Sequence, residues 1–280
     1  MPKVSVLTPI YRPDEKLLRA TIESVLGQTF SDFEFLLLDD CPDDSREAVV
    51  RSYDDPRIVY LRSERNMGIT LSRNRLLDLA KGEYLAVLDH DDVCRADRFE
   101  KEVAYLDAHP DCGVVSSWIR ELPAGNVREY PTDDHAVRVR LAHDCIVQHS
   151  ASMIRKAALV AHGLRYERPF SPSEDHALWV RLLPHVGFHI IPEPLLDYRW
   201  HADNTTLREA DKMKEGSFMV QELAKATVPD LCAEYYACRD KVAYVRLLGI
   251  PFLKIVTSTN FTTVKLFDFL PVVQIKRKVK

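Results

Sequence analysis

An alternation constrains this chain more than any other feature. Five apolar runs, KVSVLTPI (3–10), FEFLLLDD (33–40), RIVYLRS (57–63), EYLAVLD (83–89) and CGVVSSWI (112–119), are separated by four segments of helical periodicity. In the first of these segments, DEKLLRATIESVLGQ, the residues Leu17, Leu18, Ile22, Val25 and Leu26 fall on one face, with Pro13 near its start. SREAVVRSY, ITLSRNRLLDLA and RADRFEKEVAYLDAH read the same way. The apolar runs are continuous rather than alternating, which marks strands covered on both faces. Such strands joined by helices form parallel βαβ units. The expected fold class is α/β, a doubly wound, mostly parallel, Rossmann-like sheet. Ligands of such sheets sit beyond the carboxyl ends of the strands.

After about residue 126 the pattern is more mixed. Helices are expected near 133–143, 155–162, 174–183 and 206–226, and strands near 150–154, 187–191 and 195–200. From about residue 228 it changes again. RLLGIPFLKI (246–255) is echoed by KLFDFLPVVQI (265–275), with one extra residue in the second copy. This duplication is too short for a solenoid.

Charge and composition remove several function classes. With 38 Lys and Arg against 42 Asp and Glu, the net charge is −4, so no global basic field attracts nucleic acid. The six cysteines form no C-x-x-C pair, which points to reduced thiols rather than a disulfide framework. The first residues enter a strand at once, so no secretory leader is expected. No stretch of about 18 uncharged apolar residues occurs, so no transmembrane helix is expected either. A cytoplasmic protein is the reading that follows. None of the nine glycines falls in G-x-G-x-x-G or a P-loop, which disfavours a dinucleotide site and a Walker NTPase. A nucleotide bound here needs its phosphates met another way, and a divalent metal held by carboxylates is the obvious substitute.

Candidate ligands stand where the sheet would place them. The run ending LDHDDV puts Asp89 and Asp91 on the same side of an extended segment, just past a strand end. Two oxygen donors with open coordination positions suit Mg²⁺ or Mn²⁺ bridging to a diphosphate. The alternative is capping of the following helix, for which Asp92 is best placed. LLLDDCPDDS ends the second strand in Asp39 and Asp40, where a carboxylate can accept hydrogen bonds from a base or ribose, or close an Asx-turn. In SPSEDHALWVRLL, a helix starting near Glu174 places Asp175, Leu178, Trp179 and Leu182 on one stripe, with Arg181 off it. An acid at that edge is positioned for chemistry, or for stabilising the helix dipole. In DYRWHADNTT, His201 can serve as a metal ligand or phosphate donor and Arg199 as a phosphate partner.

In this order, VSVLTPIYR, QTFSDFEFLLLDDCPDDS, NMGITLSRNRLLDLAKGEYLAVLDHDDV, HSASMIRK, SEDHALWVRL and EPLLDYRWHADNTT resemble the inverting nucleotide-sugar glycosyltransferases of family 2, of the bacterial surface-polysaccharide type, with the GT-A fold. The resemblance covers about residues 4–206. It implies that Pro9 and Tyr11 line the base, Asp40 binds the uracil edge, and Arg73 approaches base or diphosphate. It makes Asp89 and Asp91 the D-x-D pair, with Asp91 the more direct metal ligand and His201 a further one. It makes Asp175 the general base, and places Arg199 with His201 in a loop over the diphosphate. His90, inside D-x-D, stands among the donor-binding residues with its side chain opposite to both ligands. Departures are Ile10 where Thr is frequent, Arg12 where Asn is common, and His90 where a small residue is usual.

The expected organisation is a GT-A catalytic domain, 1–227, with a nucleotide-binding half (1–125) and an acceptor-binding half (126–227). A C-terminal extension of helical character follows (228–280). The expected activity is metal-dependent, inverting transfer from a UDP-sugar to a hydroxyl of a glycan or lipid-linked acceptor. Its rivals are a sugar-phosphate nucleotidyltransferase, a phosphohydrolase and a non-catalytic carbohydrate-binding protein. The tail combines apolar runs with Lys276, Arg277, Lys278 and Lys280. That combination suits peripheral attachment to the cytoplasmic face of the inner membrane, with packing on a second copy of the chain as the alternative.

Overall fold

The structure, a computed structural model, describes residues 1–238 and the segments 241–247, 250–257, 261–266 and 270–276. It divides into two compact units, Met1–Val228 and Pro229–Lys280.

The first unit opens with β1 (Val4–Ile10), α1 (Glu15–Leu26), β2 (Phe33–Asp39), α2 (Glu47–Arg51), β3 (Ile58–Arg62), α3 (Ile69–Leu79), β4 (Tyr84–Val87), β5 (Val93–Cys94), α4 (Arg98–Ala108) and β6 (Cys112–Leu122). It continues with β7 (Asn126–Arg128), α5 (Asp134–Leu141), β8 (Met153–Arg155), α6 (Lys156–His162), α7 (Glu174–Leu182), β9 (Gly187–Arg199), α8 (Thr205–Arg208) and α9 (Ala210–Thr227). The α1 helix starts where the Asp14 carboxylate accepts the free N–H groups of Lys16 and Leu17, at 2.9 and 3.2 Å. It buries Leu18, Thr21, Ile22 and Val25. Every residue of β1 and β2 is buried, as continuous apolar runs require.

Among the described residues, the main sheet runs β3-β2-β1-β4-β8-β6-β9-β5, with β7 on β6. The βαβ alternation yields parallel pairing of β3, β2, β1 and β4. Beyond β4 the sheet is mixed: β8 is antiparallel to both β4 and β6, and β6 is parallel to β9. The two strands expected near 187–191 and 195–200 are one strand, β9. Pro192 and Pro194 carry no N–H, and the β6–β9 register shifts where they stand, on either side of Trp118. A β strand interrupted in this way reads from sequence as two.

Backbone constraints mark both ends of the central strands. Arg12 follows β1 with φ of 45°, the left-handed region that Asn enters at lower cost than Arg. Gly82 opens β4 where a Cβ would stand 2.5 Å from the Ser5 backbone nitrogen, so no side chain fits.

The expectation of a helical extension holds only for its first element, α10 (Pro229–Cys238). Four antiparallel strands follow: β10 (Lys241–Leu247), β11 (Ile250–Thr257), β12 (Phe261–Leu266) and β13 (Leu270–Lys276), paired in that order. KVAYVRL, IPFLKIVT, FTTVKL and LPVVQIK are rich in β-branched residues, which favour strands. The internal duplication is now explained as two hairpins with matching irregularities. In each, the register shifts beside a basic residue paired with proline, Arg246 with Pro251 and Lys265 with Pro271. The extra residue of the second copy falls between its strands, after Leu266. Arg277, Lys278 and Lys280 of the basic end lie outside the described residues. Among the described residues no helix is long and apolar enough to cross a membrane.

Candidate active site

The carboxyl ends of β1, β2 and β4 deliver Tyr11, Asp40 and Asp89 to one edge of the sheet, because these strands are parallel neighbours in register. Pro9 is buried, and its carbonyl oxygen lies 3.3 Å from His90 Nδ1. Tyr11 is exposed, with the Arg12 guanidinium 5.5 Å from its ring centroid. Asp40 is 3% exposed, and its carboxylate accepts the N–H groups of Met67 and Gly68 at 2.8–3.0 Å. It therefore fixes the entry to α3 as well as standing at the expected base site.

From α3, Arg73 reaches across the edge. Its Nη1 donates to Glu174 Oε1 at 2.6 Å and its Nη2 to Asp89 Oδ1 at 3.3 Å, and its guanidinium lies 5.7 Å from the Tyr166 ring centroid. Burial works against its charge, but the carboxylates of Glu174 and Asp89 outweigh that and raise its pKa. One guanidinium thus joins the D-x-D segment to the start of α7.

The α7 helix is buried along nearly all of its length. Only Asp175 and Arg181 are partly open; Glu174 is 1% exposed. The apolar stripe Leu178, Trp179 and Leu182 is in the core as the periodicity requires. The two acids divide as the sequence does not reveal: Glu174 turns inward to Arg73, and Asp175 stays partly open beside it. Asp175 Oδ1 accepts its neighbour's N–H from His176 at 2.8 Å, and Oδ2 lies 3.9 Å from Cys145 Sγ. Burial, then the adjacent Glu174 charge, pushes the Asp175 carboxyl up to about 6, with Arg73 opposing. Behind α7, Gly216 of α9 lies so close to Ser173 that a Cβ would meet its Oγ at 2.6 Å.

On the other side, Asp91 and His201, 110 positions apart, meet at 2.9 Å between Oδ2 and Nε2. A carboxylate oxygen and an imidazole nitrogen, both partly open, fit the donor chemistry of Mn²⁺ or Mg²⁺. Asp89, expected as a third ligand, is instead turned to Arg73. Among the described residues no three His, Cys, Asp or Glu side chains converge as a metal cluster. A bound ion would draw its remaining ligands from the diphosphate and water.

One expectation is extended and one corrected. Arg199 has a structural role beside the phosphate contact expected of it. Its Nε donates to the Asp91 carbonyl, and its Nη2 contacts the Leu17 carbonyl at 3.0 Å and Thr21 Oγ1 at 3.2 Å. These contacts engage Nε and Nη2 and clamp the loop, while Nη1 makes none of them. Asp92 does not cap α4, whose N-cap is Asp97. It is 1% exposed and accepts the Arg199 N–H at 3.1 Å. Burial and the neighbouring Asp91 and Asp89 charges push its carboxyl up.

Several residues of the site escape a reading of the sequence. Thr21 bonds the carbonyls of His90 and Asp92 at 2.9 and 2.7 Å. Ser150 Oγ accepts the Asp89 N–H at 3.0 Å. Thr21 is the polar member of the α1 apolar stripe, a signal open to detection. Ser150 and Glu174 carry no such signal.

Comparison with known proteins gives the family and the fold. Residues 5–161 match the model of the family described as Glycosyl transferase family 2. An uncharacterized glycosyltransferase of Methanocaldococcus jannaschii, MJ1057, is 29% identical over 95% of this chain and 93% of its own. WfgD of Escherichia coli, named a UDP-Glc:alpha-D-GlcNAc-diphosphoundecaprenol beta-1,3-glucosyltransferase, is 35% identical over 64% of this chain and 69% of its own. Among solved structures, Staphylococcus aureus TarS in complex with UDP superposes with a TM-score of 0.66 at 19% identity, covering 84% of this chain and 69% of that one. The mannosyltransferase PcManGT of Pyrobaculum calidifontis, in complex with GDP-Man and Mn²⁺, gives 0.60 at 19% identity, with the same two coverages of 84% and 69%. With the family model spanning more than half its length and this sheet beneath the site, the chain belongs to glycosyl transferase family 2 and is a glycosyltransferase of the GT-A fold.

Proposed function

We propose that the protein transfers a sugar from a UDP-sugar, with inversion, to a hydroxyl of a lipid-linked glycan in the assembly of a surface polysaccharide. The observation that carries the reading is the Arg73 bridge, which holds Asp89 of the D-x-D turn and the Glu174–Asp175 start of α7 at one site. A base and a donor site so joined suit direct displacement better than two closely paired carboxylates, which would suit a covalent glycosyl intermediate. Uridine as the base, and a lipid diphosphate on the acceptor, are supported by the name of WfgD and by the UDP complex of TarS.

In this mechanism Asp175 accepts the acceptor hydroxyl's proton as that oxygen attacks the anomeric carbon. Arg73 holds Glu174 and Asp89 in place, and its positive charge limits the rise in the Asp175 pKa. Arg199 and Thr21 fix the turn that carries Asp91. Asp91 and His201 would hold Mn²⁺ or Mg²⁺, which when bound supplies charge neutralisation to the departing diphosphate. The protein's place is the cytoplasmic face of the membrane that carries the acceptor.

Screening UDP-sugars with Mn²⁺ and following the product's anomeric proton by NMR tests the reading. The expected coupling is that of the anomer opposite to the donor's. Retention of configuration refutes the single displacement.

The pH dependence follows from Asp175. The base works only when ionised, and its carboxyl titrates at about 6. The rate under donor and acceptor saturation is therefore expected to rise about tenfold per pH unit below 6 and to level off above it. A profile flat from pH about 5 to 8 counts against a base that titrates at about 6.

A further inference from the structure

A buried ion pair beneath the D-x-D turn has no part in the mechanism above. Arg98, the first residue of α4, and Glu102, one turn on, are both 0% exposed. Arg98 Nε donates to Glu102 Oε1 and Oε2 at 3.1 and 3.2 Å. The pair sits on the buried face with Phe99, Val103 and Leu106, where apolar residues fill the space at lower desolvation cost. Fold stability alone does not call for an arginine there.

The other donors of Arg98 show where it acts. Nη2 donates to the Val87 carbonyl at 3.0 Å and the Ser152 carbonyl at 3.1 Å. Nη1 donates to the Ser150 carbonyl at 2.8 Å and contacts Cys94 Sγ at 3.2 Å. Val87 is the last residue of β4, two before Asp89. Cys94 lies three residues after Asp91, on β5. Ser150 gives its Oγ to the Asp89 N–H, and the Ser152 carbonyl accepts the Val87 N–H at 2.9 Å. One planar group therefore grips the chain before the D-x-D turn, after it, and along the segment that supports it. Thr21 and Arg199 hold the same turn through the carbonyls of His90, Asp91 and Asp92.

We infer that Arg98, kept charged and oriented by Glu102, is a positioning residue that sets the Asp89–Asp91 turn for the diphosphate, an assignment that rests on the donor reading given above. A lysine keeps the charge but gathers its three N–H donors on one nitrogen in place of the fork, and cannot span the Glu102 carboxylate and the three carbonyls at once. Glu102 acts through Arg98 and touches no substrate.

Arg98→Lys and Ser150→Ala are compared with Val103→Ala, a cavity on the same buried face of α4 that spares every contact above. Hydrogen–deuterium exchange is read over 85–97 and over β1 and β2, and UDP binding is titrated calorimetrically with and without Mn²⁺. Arg98→Lys is expected to speed exchange in 85–97 about tenfold or more with β1 and β2 unchanged, the mark of a local opening. Mn²⁺-dependent UDP affinity is expected to fall about 10–100-fold in it, the range for a supporting residue of a metal site. Ser150→Ala is expected to show both effects in weaker form, and Val103→Ala neither. Unchanged exchange in the lysine variant overturns the inference, as does unchanged UDP affinity. If that variant does not fold, Ser150→Ala decides, and wild-type exchange and affinity in it overturn the inference. If wild-type protein binds UDP without any response to Mn²⁺, the metal reading of Asp91 fails, while the exchange arm still decides what Arg98 holds.

Discussion

Replacing Asp175 by Asn is expected to lower kcat by about 10²–10⁴-fold, the usual contribution of a general base. By transition-state arithmetic that is about 3–5 kcal/mol. The amide is almost isosteric. Its oxygen can still accept the His176 N–H that Asp175 Oδ1 now accepts at 2.8 Å, and the Cys145 thiol at 3.9 Å forces no repacking. Folding and UDP affinity are therefore expected to survive, since only the ability to take a proton is lost. The neighbouring acid is the informative contrast. Glu174→Gln leaves the base in place but removes the charge that the Arg73 Nη1 meets at 2.6 Å, inside a nearly closed pocket. It also removes a repulsion that helps raise the Asp175 pKa. Asp175→Asn within a few-fold of wild type in kcat, with donor binding intact, would leave Asp175 as a first-turn acid of α7 and nothing more.

That division between two adjacent acids shows where the sequence stops being legible. Helical spacing puts Asp175 on the stripe of Leu178 and Trp179, and the stripe is buried as read. Yet α7 is packed on almost every side, so periodicity cannot say which of its polar residues faces an opening. Only the neighbours decide, and Arg73 arrives from a helix 101 positions away to claim Glu174. The parallel half of the sheet, by contrast, was plain. Its strands are apolar throughout because helices cover both faces, and a continuous run needs no knowledge of partners. Strand β9 was not plain, because Pro192 and Pro194 break the pattern without ending the strand. The tail expected to be helical carries β-branched residues, and beyond α10 their preference for strands prevails. The meeting of Asp91 with His201 was expected only from resemblance. The clamping role of Arg199 is not legible, because an arginine beside a phosphate site and an arginine holding carbonyls look alike in sequence.

Replacing Asp91 by Ala is expected to abolish the response of UDP binding to Mn²⁺ and to weaken Mn²⁺-dependent affinity by more than about 100-fold. Residues that merely support a metal ligand cost about 10–100-fold, and the loss of a ligand should exceed them. The geometry makes Asp91 hard to replace. Asp89 is turned to Arg73 at 3.3 Å, and among the described residues no cluster of three metal-binding side chains exists to share the loss. The turn itself should survive, because its hold is on backbone atoms: Arg199 on the Asp91 carbonyl, and Thr21 on those of His90 and Asp92. His201→Ala should be milder, since it leaves the anionic ligand and removes a neutral one. Calorimetric titration of UDP into each protein, with Mn²⁺ and with chelator, ranks them. Wild-type affinity and an undiminished Mn²⁺ response in Asp91→Ala would move the metal away from this turn. A His201→Ala loss as large as that of Asp91→Ala would mean that the imidazole holds the loop as well as the ion, because the backbone N–H bond to Asn204 Oδ1 beside Arg199 remains in the variant and cannot account for the loss.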